Sequence, residues 1–194
     1  MQQIGVYGSA FNPPTFGHRD VLAQASSFDE ILLVPSISHA FGKALISFEH
    51  RLAMLALFCE DLPFNNKPKV TISLVEKEIF ERNRATGPVY TFDVLSELSK
   101  QFPLKKLHFI LGPDNAKPET WKKFYRYQEI EQQWPLFIAK ENVAIHSTMA
   151  REICFTYAKQ DDIRIEKLIN IVGEKIAYYI EDNQLYRERE SSYG

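Results

Sequence analysis

Cysteine is scarce in this sequence, and long apolar runs are absent. The 194 residues include two cysteines, Cys59 and Cys154, and neither has a CxxC partner or metal-ligand spacing. They supply no disulfide framework and no metal motif, so we expect two reduced, buried thiols. No apolar run approaches the roughly 20 residues that span a bilayer, and the N-terminus lacks the basic and apolar regions of a signal peptide. The sequence therefore predicts a cytoplasmic protein with no membrane partner.

An excess of one charge is also lacking. The chain carries 23 Lys and Arg against 25 Asp and Glu, a formal net charge of -2. This balance provides no general field for a polyanion, so we predict no nucleic-acid partner, while a local basic cluster could still bind a small anion. Hydrophobic residues at 45% and charged residues at 25% exclude a disordered chain. Because no repeat and no Gly-, Ser- or Pro-rich linker divides the sequence, we predict one domain over 1–194.

Short apolar runs alternate with helical patterns along the chain. Strands are predicted at 4–7, 30–34, 70–74, 107–111 and 136–139. Helices are predicted from near Gly17, after the candidate N-caps Ser47 and Thr91, through 121–130 and from Ser147, and apolar residues over 168–180 mark a helical C-terminal region. Strands separated by helices indicate right-handed βαβ crossovers, and hence a Rossmann-like, doubly wound α/β fold with a mostly parallel sheet. We expect this sheet in a core over 1–145, followed by a small helical C-terminal part over 146–194.

The first predicted strand leads into the loop GSAFNPPTFGH, residues 8–18. Ligands of doubly wound sheets bind beyond the carboxyl ends of the strands, so this loop is a candidate site. It is neither a Walker P-loop nor a GxGxxG motif. A glycine-containing turn followed by a helix start suits a phosphate, and His18 would add a donor to the same anion. The simpler alternative is a strand-to-helix turn with a solvated histidine.

Two motifs carry a family resemblance. Thr15-Phe16-Gly17-His18 resembles the (H/T)xGH signature of the nucleotidyltransferase superfamily, and IHSTMAR at 145–151 resembles its late Ile-Ser-Ser/Thr-x-x-Arg element. Both fall where the predicted sheet places a ligand. Further segments are similar to bacterial nicotinate-nucleotide adenylyltransferases, namely 47–55, 90–95, 112–115 with Trp121, and 179–186. The resemblance runs from Ile4 to about Tyr186.

This resemblance implies transfer of AMP from ATP to nicotinate (or nicotinamide) mononucleotide with release of diphosphate, as in NAD biosynthesis. Mg²⁺ would accompany ATP and bridge its phosphate oxygens. His18 and Arg151 would stabilise charge on the phosphates and Thr15 would donate to them, which makes these three the expected catalytic residues. The expected ATP contacts are Gly8, Ser9, Gly17, Lys43, Gly112, Asp114, Ser147 and Thr148, and the expected pyridine contacts are Tyr90, Thr91 and Trp121.

Several of these side chains also have a plain structural interpretation. Trp121 can cover the edge of the sheet, and Asp114 can be a turn residue after Pro113. Arg151 can form a surface ion pair. Thr91 can cap a helix, which is compatible with a substrate contact.

Three features depart from the family pattern. Thr15 stands where nicotinate-nucleotide adenylyltransferases usually have His, and Thr is typical of phosphopantetheine adenylyltransferase. His146 replaces the first Ser of the late element, and the connection between Ile138 and Ile145 is short. The alternatives are another adenylyl- or cytidylyltransferase, phosphopantetheine type first, or a catalytically weak nucleotide-binding or regulatory protein. The sequence leaves open whether the substrate ring is nicotinate or nicotinamide, and whether the protein forms a homo-oligomer.

Overall fold

Five apolar runs form one sheet in the computed structural model, which describes residues 1–37, 45–64, 68–84 and 87–188. The strands are β1 Gln3–Ser9, β2 Glu30–Pro35, β3 Lys69–Ile72, β4 Lys106–Leu111 and β5 Leu136–Ile138. Their spatial order is β3-β2-β1-β4-β5, and every neighbouring pair is parallel. From β1 the chain adds β2 and then β3 on one side, and it afterwards adds β4 and β5 on the other side of β1. This order confirms the Rossmann-like, doubly wound α/β fold.

Helices connect the strands and follow the last one. Their bounds are α1 Phe16–Gln24, α2 Phe48–Glu60, α3 Val75–Arg82, α4 Thr91–Gln101, α5 Pro113–Ala116, α6 Pro118–Trp121, α7 Tyr127–Gln133, α8 Ser147–Thr156, α9 Asp161–Val172 and α10 Glu174–Asp182. Ser47 caps α2 as predicted, since its Oγ accepts from the His50 backbone N–H at 3.3 Å. The division into a 1–145 core and a 146–194 helical part stays a prediction.

Several strand ends differ from the sequence-based prediction by one or two residues, and two of the differences have a clear physical reason. β2 continues through Pro35, which we had expected to end it. N–H directions alternate along a strand, and Ser36 N donates to Ser9 O of β1 at 3.0 Å, so the Pro35 nitrogen faces the β3 side. Pairing with β3 stops earlier, at Leu33 and Ile72, so no hydrogen bond is lost there. β3 ends at Ile72 rather than at 74, because the chain turns there into α3. The sequence analysis did not predict this helix.

Two helix predictions also need correction. Thr91 is the first residue of α4 rather than its N-cap; the N-cap is Tyr90, whose backbone N–H donates to the Asp93 carboxylate at 3.3 Å. The predicted helix through 121–130 is divided into α6 and α7 by a turn that includes Arg126, in the left-handed region at φ 57°. Apolar residues continue at helical spacing across this turn, so the sequence pattern did not reveal the break between the two helices.

The core lies on both faces of the sheet. Tyr7, Ile31 and Leu33 face one side and pack with α1, α2 and the C-terminal helices. Their strand neighbours, such as Val6 and Leu32, face the other side and pack with α3, α4 and α7. Successive strand residues point to opposite faces, so strands buried on both sides are continuously apolar. The sheet is therefore packed on both faces, and the loops at the carboxyl ends of its strands extend from this core.

Both cysteines are free, Cys154 buried and Cys59 only half-buried. Burial raises the pKa of the Cys154 thiol to about 12 and that of Cys59 to about 11, so both remain protonated at neutral pH. Within the described ranges, no helix is long and apolar enough to cross a membrane.

Candidate active site

A cavity of about 740 Å³ opens at the carboxyl ends of β1 and β4. Its walls come from the loop after β1, the segments after β4 and β5, and the starts of α4 and α8. Ligands of doubly wound sheets bind at this position. The predicted site residues that line it are Gly8, Ser9, Thr15, Gly17, His18, Tyr90, Thr91, Gly112, Asp114, Ser147, Thr148 and Arg151. Lys43 lies outside the described residues, and Trp121 does not line the cavity.

The loop after β1 is held by the C-terminal part of the chain. Ser147 Oγ donates to Pro13 O at 2.7 Å, and Arg151 Nη1 donates to Asn12 O at the same distance. The hydroxyl of Tyr186 donates to Asn12 Oδ1 at 2.8 Å. The loop after β1 is therefore in direct contact with the late motif at 145–151, although more than 120 residues separate them along the chain.

Gly17 makes the closest approach between these motifs. A Cβ at this position would lie 2.1 Å from Ile145 O, a backbone atom that no side-chain rotation can move away. Only glycine lets the start of α1 come this near to the segment before α8. The glycine of the signature is thus a packing requirement between two elements.

His18 is held in one tautomer by its neighbours. The backbone N–H of Thr15 donates to His18 Nδ1 at 3.0 Å, so Nδ1 is the acceptor and the proton of the neutral ring lies on Nε2. His18 Nε2 lies 3.2 Å from Ser9 Oγ, at the cavity wall. The rings of Phe11 and Tyr7 pack against the imidazole at centroid distances of 5.0 and 6.2 Å. The geometry directs one N–H donor toward the cavity.

Electrostatics keep this histidine neutral. Burial lowers the pKa of His18 to about 4, with a further contribution from the charge of His146. His18 therefore acts at neutral pH as an uncharged hydrogen-bond donor rather than as an imidazolium. Tyr7 is also neutral, because burial and then the charge of Asp114 raise the pKa of its phenol.

Thr15 and Arg151 both have partners within the protein. Thr15 is fully buried, with its Oγ1 3.0 Å from His18 Nδ1 and 3.5 Å from Ile145 O. Arg151 Nη2 donates to Thr148 Oγ1 at 3.1 Å, beside its contact with Asn12 O. The fixed guanidinium thus places a positive charge at the start of α8, where the helix dipole has the same sign.

Charged side chains that the sequence reading did not assign surround Asp114. Lys117 Nζ lies 2.9 Å from Asp114 Oδ1, and His146 Nδ1 lies 3.4 Å from Oδ2. His146 Nε2 is 3.0 Å from Glu141 Oε1. Glu141 and Lys140 follow β5, and both line the cavity. Their position directly after a predicted strand is the one sequence feature that could have identified Lys140 and Glu141 as site residues.

The other end of the cavity is aromatic. Tyr90 and Tyr125 lie there with ring centroids 4.7 Å apart, next to Thr91 and Phe124. Trp121 is only 7% exposed; it packs on Phe124 at 4.9 Å and donates from Nε1 to Glu131 at 2.7 Å. Tyr125 is 49% exposed and presents an accessible ring face. The sequence analysis had predicted such a face for Trp121.

In the described part of the chain, no group of three or more His, Cys, Asp or Glu side chains is arranged so that it could hold a metal ion. Of the acidic residues at the cavity wall, Asp114 and Glu141 are paired with Lys117 and His146. A divalent ion would therefore have to bring most of its ligands with it, as an ion bound to polyphosphate does.

Comparisons with known proteins agree with this geometry. A family model described as cytidylyltransferase-like matches residues 6–153. A nicotinate-nucleotide adenylyltransferase of Bacillus subtilis is 31% identical, with 96% of this chain and 99% of that protein covered. A protein of Trichormus variabilis named "Probable nicotinate-nucleotide adenylyltransferase" is 30% identical over 97% of this chain and 99% of its own length.

Solved structures share the fold. A crystal structure from Vibrio parahaemolyticus, provisionally described as a nicotinate-nucleotide adenylyltransferase, superposes with a TM-score of 0.73 at 27% identity and covers 93% of this chain and 99% of its own. Plasmodium falciparum nicotinic acid mononucleotide adenylyltransferase complexed with NaAD gives a TM-score of 0.70 at 21% identity, covering 96% and 98%. By its sequence matches over nearly the whole length and by its fold, the chain belongs to the nicotinate-nucleotide adenylyltransferases of the cytidylyltransferase-like family.

Proposed function

We propose that this protein transfers AMP from ATP to nicotinate mononucleotide, releasing diphosphate, as a step of NAD biosynthesis. One observation carries the proposal: the fold brings both family motifs to one cavity, with His18 Nε2 at its wall. The aromatic end of the same cavity suits a pyridine ring. The names of the relatives favour nicotinate over nicotinamide as the ring.

The reaction needs no covalent intermediate with the protein. An oxygen of the mononucleotide phosphate attacks the α-phosphorus of ATP, and a new P–O bond forms. The bond between the α-phosphorus and the oxygen that bridges to the β-phosphorus breaks, and its electron pair leaves with diphosphate. Catalysis of such a transfer rests on positioning the reactants and on stabilising the charge that develops on the phosphate oxygens.

The chain's residues supply these two effects. We infer that the Nε2–H of His18 donates to a phosphate oxygen, replacing its contact with Ser9 Oγ. The Arg151 charge and the N-terminus of α8 would stabilise the leaving diphosphate. Thr15 would orient His18, since its backbone N–H and hydroxyl both lie at Nδ1. These are roles that the distances support and that substitution can test.

ATP would bind along the segments after β4 and β5. Asp114 would accept from ribose hydroxyls, and Gly8 and Gly112 would let the nucleotide approach the backbone; a Cβ at Gly8 would meet nothing nearer than 3.9 Å. Mg²⁺ would enter as part of the MgATP substrate, with phosphate oxygens as ligands, and would neutralise charge on the polyphosphate.

The pyridine ring would bind at the aromatic end of the cavity. We propose that it stacks on Tyr125, supported by Tyr90, with Thr91 contributing a hydroxyl group. Trp121 would support this wall from within the core by packing behind Phe124.

The direct test is diphosphate release by the purified protein with ATP and Mg²⁺. Nicotinate mononucleotide, nicotinamide mononucleotide and phosphopantetheine are offered as separate acceptors. Turnover is expected with nicotinate mononucleotide. Turnover only with phosphopantetheine would favour the alternative to which Thr15 points, and ATP binding without any turnover would indicate a nucleotide-binding regulatory protein.

A variant ties the activity to the cavity. His18→Ala removes the proposed donor and is expected to lower kcat about 100-fold or more, with the thermal midpoint retained. His50→Ala is the matched control, because His50 lies on α2 and contacts Tyr179 at 2.9 Å, away from the cavity. Equal activities of the two variants would contradict the role of His18.

A further inference from the structure

His146 lies between two carboxylates that come from different loops. Its Nδ1 is 3.4 Å from Asp114 Oδ2, after β4, and its Nε2 is 3.0 Å from Glu141 Oε1, after β5. His146 itself is the N-cap of α8. One imidazole ring thus joins three segments of the cavity wall, at the position where the family pattern has an uncharged serine.

The protonation state decides whether this bridge is complete. A neutral imidazole carries a proton on one nitrogen and a lone pair on the other, so one of the two carboxylates would face a lone pair. An imidazolium carries a proton on both nitrogens and pairs favourably with both carboxylates. A complete bridge to both carboxylates therefore needs a hydrogen on both ring nitrogens.

The bridge also changes the charge that an incoming triphosphate meets. Asp114 and Glu141 are negative, and Lys117, which is paired with Asp114, is positive. With His146 charged, the four side chains sum to zero. With His146 neutral, one negative charge remains uncompensated at the cavity wall, and it would repel ATP.

The bridge further fixes the expected ribose acceptor. Asp114 is 62% exposed at its side chain and would rotate freely without partners. Lys117 holds one of its oxygens and His146 the other, so the carboxylate is oriented before ATP arrives. Pre-orientation lowers the entropy that binding must overcome.

We propose that His146, as a bridge between Asp114 and Glu141, is a positioning residue that sets the affinity of this protein for MgATP. The role rests on the proposed function in that ATP is the nucleotide bound. It is particular to this chain, because serine at this place could neither carry the charge nor join the two carboxylates.

The test measures binding of MgATP by calorimetry at pH 6, without an acceptor. The Kd of His146→Gln is expected to be about five- to tenfold higher than that of wild type, because glutamine cannot carry a charge to pair with the two carboxylates. His146→Lys keeps a positive charge and is expected to recover most of the affinity.

Two results would overturn the proposal. They are equal affinities of wild type and His146→Gln, and a loss of affinity in His146→Lys as large as in His146→Gln. His50→Gln is the matched histidine control. His146→Ser, which restores the residue of the family pattern, is expected to bind MgATP as weakly as His146→Gln and tests the proposal where His146→Gln does not fold.

Turnover supplies a separate readout. In the acceptor assay, His146→Gln is expected to raise KM for ATP while kcat and KM for the mononucleotide change less than about twofold. A fall in kcat at unchanged KM would contradict a positioning role. Absence of all turnover in wild type would contradict the proposed function, and the MgATP affinities would still test His146.

Discussion

At the scale of single residues, the chemistry of the site depends on the neighbours of two histidines. His18 accepts from Thr15 N–H, and desolvation lowers its pKa so that it is neutral, whereas His146 lies between two carboxylates at the cavity wall. Two residues of one type thereby acquire different roles through their surroundings.

The lowered pKa of His18 predicts a loss of stability in acid. The unfolded chain binds a proton at His18 near pH 6.5, and the folded chain binds it only near pH 4, so protons favour unfolding between these values. Wild type is expected to lose up to about 1.4 kcal/mol of unfolding free energy per pH unit more than His18→Gln in this window. Urea unfolding at pH 7, 6 and 5 measures the difference. Parallel losses in the two proteins would contradict the buried, neutral His18.

The exposed aromatic ring predicts where the pyridine binds. Tyr125→Ala is expected to raise KM for the mononucleotide about tenfold with little change in KM for ATP, because the stacking face is lost. The control is Tyr178→Ala, an exposed tyrosine on α10. Steady-state kinetics with each substrate varied measure both constants. If Trp121→Phe raised that KM and Tyr125→Ala did not, the stacking residue would be Trp121 as the sequence first indicated.

At the scale of elements, the contact between the start of α1 and the segment before α8 leaves no room for a larger side chain at Gly17. Gly17→Ala would place a Cβ 2.1 Å from Ile145 O, so the two elements must separate. We expect a loss of unfolding free energy on the order of 2–4 kcal/mol, measured by urea unfolding. Gly8→Ala is the matched control for stability, because its Cβ would lie 3.9 Å from Val34 O. Equal midpoints for the two variants would contradict the close approach.

At the scale of the whole molecule, the C-terminal end of the chain supports the first loop. Tyr186 is buried, and its hydroxyl donates to Asn12 Oδ1 at 2.8 Å. Tyr186→Phe is expected to cost about 1 kcal/mol of stability and to lower kcat/KM severalfold, because the loop that carries His18 loses a support.

Thermal unfolding and steady-state kinetics check this prediction. Tyr178→Phe provides the control, since the Tyr178 side chain is 46% exposed on α10. If Tyr186→Phe lost stability while keeping full activity, the C-terminal end would support the core without positioning the loop.

Local patterns were sufficient for much of the fold and site. All five strands were predicted to within a few residues, because buried parallel strands are apolar runs that turns interrupt. Two motifs, at 15–18 and 145–151, were predicted to share a site, since loops after parallel strands meet at one edge of the sheet. The cavity contains both.

Other features were decided only by the tertiary structure. Trp121 and Tyr125 are both aromatic and four residues apart, and only the turn between α6 and α7 determines which of them is buried. His146 was visible as a departure from a family pattern, yet its two carboxylates come from loops that the sheet brings together. Sequence periodicity reports which residues are buried along one element, whereas contacts between loops depend on the packing of the whole chain.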